Sequence, residues 1–201
     1  MTLSAQSLVA ELDTTLNKAS NSKRSAMLRS VTDLFLNGAP HLSNDQIAVF
    51  DDVLIRLIEN IERSALIELS TRLAPIGNAP LNIIGRLSYN DDIAVSAPVL
   101  SKSNVLSERI LIDVAKTKGQ FHLSAIADRE KISAAVSDVL ADRGGPEIAL
   151  KLANNKDVCL SELGFAKLIK RAENDSELSM AVASRSDIPR ELRPFLKPVS
   201  A

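Results

Sequence analysis

Tryptophan is absent from this chain, and its 201 residues include one tyrosine, five phenylalanines and one cysteine. So few rings exclude a core built on aromatic stacking and leave single-stranded nucleic acid without stacking platforms. The lone Cys159 excludes an internal disulfide framework and a multi-cysteine zinc site, and it suits a reducing compartment. Charge of one sign is missing too. A formal net charge of −1 and a pI near 6.2 supply neither the basic field that gathers nucleic acid nor an acidic tail. The first residues, MTLSAQSLVAELDTTLNKAS, lack the cationic start and apolar run of a signal peptide. No apolar run reaches the roughly 18 residues of a membrane span. The expectation is a cytoplasmic protein with no membrane partner.

What is present is aliphatic and helical. Met27, Leu28, Val31, Leu34 and Phe35 recur at three- and four-residue steps over 24–37, with Gly38 as the expected stop. Ser43 and Gln46 form a capping-box pair before Ile47, Phe50, Val53, Leu54 and Leu57, a second helix. These two predict an antiparallel hairpin, with a shorter helix over 4–18 (Leu8, Val9, Leu12, Leu16) packed on it. Residues 1–61 are therefore read as an N-terminal helical hairpin region. No segment alternates with a two-residue period, so no strand is predicted.

Residues 62–201 carry a different pattern. Helix starts align at Pro80, Ser107, Ser133, Ser161 and Pro189, at intervals of 27, 26, 28 and 28 residues. Seven residues after each start stand Leu87, Val114, Leu140, Leu168 and Leu196. An apolar–small pair precedes each: Leu73-Ala74, Leu100-Ser101, Ile126-Ala127, Leu152-Ala153 and Val182-Ala183. The fourth pair lies two residues further from its start, a small insertion in that loop. Units of about 27 residues, each a helix, a turn and a second helix, predict stacking in which neighbours bury one another's apolar faces. The fold class expected is all-α: a solenoid of about five short HEAT-like repeats, continuous with the hairpin as one domain. The last unit, IPRELRPFLKPVSA, has little polar capping surface. It raises the expectation of an end covered by a partner or of a natural chain extending beyond residue 201.

Candidate chemistry is sparse. His41 and His122 have no HxxxH or HExxH partner, and no metal or cofactor site is expected. Cys159 sits in a turn without an evident base and reads as a half-buried thiol. Asp51-Asp52 and Asp91-Asp92 read as solvated faces and helix-start acids. Gly144 and Gly145 form a break before Pro146 rather than a phosphate loop, and Gly164 is a candidate close-packing point. Residues 167–197 hold seven basic against five acidic side chains, too even for a nucleic-acid groove. The mixed-sign residues Arg86, Glu108, Arg109, Asp113, Asp138, Lys167 and Arg190 on the second helices suit a protein surface better.

The runs SVTDLFLNGAPHLSNDQIAVFDDVLIRLIENIE and LAPIGNAPLNIIGRLSYNDDIAVSAPVL resemble the bacterial domain of unknown function numbered 2336, a likeness extending over roughly residues 5–197. The resemblance implies an all-α, HEAT-like protein of no assigned activity in a bacterial cytoplasm, with relatives that often run longer. It brings no functional residues with it. The reading that follows is a non-catalytic scaffold or adaptor for a protein partner, compatible with a homo-oligomer. A nucleic-acid-binding helical-repeat protein of glycosylase-like fold ranks second, and an enzyme with an unrecognised site third.

Overall fold

A computed structural model describes residues 20–196, so the expected helix over 4–18 lies outside the described residues. Among those residues the structure is all-α, with eleven α-helices, two short 3-10 turns and no named strand. A single parallel bridge, Ile132 to Val158, is the one extended pairing among them. No described helix is long and apolar enough to cross a membrane. The chain divides into two compact units, which separate at residues 99–106.

The first unit contains α1 (Asn21–Gly38), α2 (Asn44–Leu57), α3 (Arg63–Leu73) and α4 (Leu81–Ser88), and takes part of α5 (Ile93–Lys102). Ser43 caps α2 by the expected reciprocal box: its Oγ accepts the Gln46 N–H at 3.3 Å, and Gln46 Oε1 accepts the Ser43 N–H at 2.8 Å. Gly38 does not stop α1 in the expected way. Its φ of −93° is right-handed, and the helix passes directly into the 3-10 turn Ala39–His41. Pro40, which cannot donate a backbone hydrogen bond, ends the run instead. After α2 the chain turns at Asn60, whose φ of 54° is the left-handed conformation asparagine tolerates best among side-chain-bearing residues. α1 packs on α2 and α3, and α4 packs on α2 and α3. Phe35 is fully buried and meets Phe50 edge-on, with ring centroids 5.4 Å apart.

The second unit contains α6 (Glu108–Thr117), α7 (Gln120–Ala127), α8 (Ala134–Arg143), α9 (Pro146–Asn154), α10 (Glu162–Ala172) and α11 (Ser176–Ala183). α8 packs between α6 and α10, and α9 packs between α7 and α11, giving two helix rows. Four of the five aligned starts are helix N-caps: Pro80 of α4, Ser107 of α6, Ser133 of α8 and Ser161 of α10. The fifth is not. Pro189 is followed by turns and a 3-10 segment, Arg193–Phe195, because Pro194 interrupts the helical run. Leu87, Val114, Leu140 and Leu168 are each at most 1% exposed, whereas Leu196 is only half-buried. Burying each such aliphatic side chain is worth about 1.5–3 kcal/mol, so each of these four positions contributes to the core of its own unit.

Candidate functional site

Helix ends leave their last carbonyls without partners inside the helix, and in the second unit long polar side chains from the next helix pair reach back to them. Arg143, at the end of α8, donates to the carbonyls of Ala115 and Lys118 at the end of α6. Arg171, at the end of α10, donates to Ala141 and Gly144 at the end of α8, at 3.1 and 2.7 Å. The other row repeats the device. Arg129 donates to Leu100 at 2.7 Å, and the Asn155 carboxamide donates to Arg129 and Glu130 at 2.9 and 3.1 Å. Arg185 donates to Leu152, Asn155 and Val158 and also pairs with Asp187. Its guanidinium lies 5.6 Å from the Phe165 ring centre, within cation–π range. Burial alone pushes the Arg129 guanidinium below its usual value.

Beyond these clasps, α6, α8 and α10 each carry exposed positions. Glu108, Arg109 and Asp113 are exposed on α6. Asp138 is half-buried, and both its oxygens accept the Ser161 hydroxyl, at 2.7 and 2.9 Å. Gly164 lies against the same carboxylate, where an added Cβ would stand 2.6 Å from Asp138 Oδ1. The close-packing expectation for Gly164 is thereby met, and Asp138 acts as a joint between α8 and α10. Lys167 pairs with Asp142 at 2.8 Å, a hydrogen bond and charge that hold the Asp142 carboxyl below its usual range. Arg86 is exposed on α4 in the first unit, and Arg190 is exposed between α11 and the final 3-10 turn. Of the seven residues singled out, the structure gathers five on adjacent helices of one unit.

On the α7–α9 side, Lys151 meets Asp128 at 2.7 Å and Glu147 at 3.2 Å. Partial desolvation lowers its pKa, but the hydrogen bonds and charges of the two acids outweigh this and raise it. Reading the sequence missed Asp51. It is 5% exposed, and its two oxygens accept the N–H groups of Asn82 and Ile83, each at 2.8 Å. It thus caps α4 from a distant helix where Pro80 offers no side-chain cap. Asp92 caps α5 and takes a bidentate pair from Arg63. Beside α2 and α4 an open cleft of about 510 Å³ faces Ile47, Leu81 and Val105.

His122 is buried on α7, while His41 is exposed in the first 3-10 turn. Cys159 is exposed rather than half-buried, because its main chain, not its thiol, is used: its N–H donates to Ile132 at 2.9 Å. Among the described residues, no three His, Cys, Asp or Glu side chains gather as metal ligands.

A family model described as an uncharacterised protein conserved in bacteria (DUF2336) matches residues 95–196, mostly beyond the two runs on which the resemblance was first read. No curated protein and no solved structure matches the chain.

Proposed function

On the premise that the chain belongs to the DUF2336 family of proteins conserved in bacteria, we propose that it is a non-catalytic scaffold of the bacterial cytoplasm. In this reading its short helix pairs form a HEAT-like α-solenoid that holds a protein partner on the outer faces of α6, α8 and α10. One observation carries the reading. The second unit's helices lie in two rows whose ends are joined by Arg129, Arg143, Arg171 and Arg185. The joints occupy the row ends and leave Glu108, Arg109 and Asp113 facing outward. Stacked helical repeats make extended surfaces by construction, and a mixed-sign face selects partners by electrostatic complementarity.

The test is affinity capture from a native bacterial host, comparing the wild-type chain with an Arg109→Glu/Asp113→Lys double variant. The expected outcome is a protein, a second copy included, retained by the wild type and lost from a variant with unchanged circular dichroism. Identical retention by both chains would refute the proposed face. Retention of nucleic acid with a steep salt slope would replace this reading with the second.

A further inference from the structure

We propose that one side of α1 is the docking face for residues 4–18 of the same chain, with the Asp13 carboxylate paired to the Arg24 guanidinium. It goes beyond the scaffold reading, because none of its residues lies on α6, α8 or α10. The inference starts from a misplaced charge. Arg24 closes the first turn of α1, where its N–H donates to the Ser20 carbonyl at 2.9 Å. That turn holds no acidic residue, and the N-terminal end of a helix dipole disfavours a cation. Arg24 is nonetheless 8% exposed, and its Nε has no hydrogen-bond partner among the described residues. Arginine is almost never fully buried unless paired, and an uncompensated buried charge is strongly destabilising. This end of α1 calls for a carboxylate.

The same side of α1 narrows where that carboxylate comes from. Arg24 heads a row with Met27, Val31 and Leu34, at steps of three and four residues. Met27 and Val31 are half-buried, and Leu34 is 65% exposed. A matching element is apolar along its length and acidic beside the start of α1. Residues 1–19 lead directly into Ser20, the N-cap of α1. They carry Leu8, Val9, Leu12 and Leu16 at helical spacing, and their acids are Glu11 and Asp13. A tight reversal before Ser20 sets an antiparallel partner in one register: Leu12 opposite Met27, Leu8 opposite Val31, and Leu16 beside Arg24. Asp13 precedes Leu16 by three residues, one turn, and so reaches the guanidinium, whereas Glu11 falls on the far flank of the stripe. The tether also favours this occupant over a separate chain, since a short link gives an effective concentration on the order of millimolar.

The experiment uses the full chain and two readouts. Urea unfolding of Asp13→Asn, Arg24→Gln and the double variant closes a double-mutant cycle. Each single change is expected to lower the midpoint, the double no further than the larger single loss, and Glu11→Gln not at all. Proximity is read separately, with a short thiol cross-linker on Leu12→Cys/Met27→Cys in a Cys159→Ser chain, by mass spectrometry after digestion. The expected result is a bridge between positions 12 and 27 within one chain. None is expected for Leu12→Cys/Asn37→Cys, whose second site lies about 15 Å further along α1. Additive losses in the cycle, a loss in Glu11→Gln equal to that in Asp13→Asn, or no bridge between 12 and 27 would overturn the proposal.

Discussion

In the first unit, several polar links between helices run from side chain to side chain at the surface: Arg29 to Glu68, Arg72 to Asp33 and Arg63 to Asp92. In the second, many run from guanidinium or carboxamide to backbone carbonyl at a helix end. Exposed ion pairs are screened by salt and contribute little. A guanidinium with a side chain 1% exposed, as in Arg185, is shielded from salt and fixed by the positions of three carbonyls. The contrast teaches that a nearly neutral composition conceals two uses of the same residue type. In the first unit Arg29, Arg63 and Arg72 pair with carboxylates in solvent, and in the second Arg129, Arg143, Arg171 and Arg185 complete the main chain.

The comparison can be broken at several points. Leu87 and Leu140 hold the same register position, one in each unit, and both are buried. Leu87→Ala and Leu140→Ala should each cost about 2–5 kcal/mol, measured by urea unfolding; an unchanged midpoint for either would break the register. Arg185→Leu strands the Leu152, Asn155 and Val158 carbonyls. It should cost about 2–4 kcal/mol, and the loss should be nearly the same at low and high salt. Arg29→Ala in the first unit should leave the midpoint unchanged at high salt. Gly164→Ala sets a methyl against the Asp138 carboxylate that Ser161 holds, and about 1 kcal/mol of lost stability is expected.

The smallest effect sharpens the contrast by pH. The hydrogen bond from Arg63, chiefly, holds the Asp92 carboxyl below its ordinary 3.8. A depressed carboxyl stabilises the fold above its unfolded pKa and loses that contribution as pH falls through the lower folded value. An NMR titration of Asp92 should therefore give a midpoint below 3.8, returning towards it in Arg63→Ala. A midpoint unmoved by that substitution would show that the surface pair has no electrostatic effect.

Features whose cause lies within three or four residues were legible in the sequence. Ser43, Ser107 and Ser161 cap as expected because each hydroxyl meets an N–H three residues on. Ser133 begins α8 at its expected place, yet its hydroxyl has no hydrogen-bond partner. Pro189 failed as a start because Pro194 lies five residues later, a local signal that the repeat spacing outweighed. What escaped notice was long-range. Asp51 serves amides 31 and 32 residues away, and a buried acid in an Asp-Asp pair looks like a surface one until its partner is known. The clasps left a periodic trace: Arg143 and Arg171 each follow an aligned serine by ten residues. In the sequence such arginines count as surface charge, because their acceptors are carbonyls, which every residue has.

The clasps also set a rule for insertions and deletions. A guanidinium that must reach two particular carbonyls works as a ruler laid along the chain. One residue added within α8, between Ser133 and Arg143, would swing Arg143 by about 100° around the helix and off the Ala115 and Lys118 carbonyls. The longer loop after α9 met this rule differently, for its Val158 pairs with Ile132 and receives Arg185. Length changes between relatives should therefore collect in loops that bring their own carbonyl to a clasp, leaving the helices constant in length.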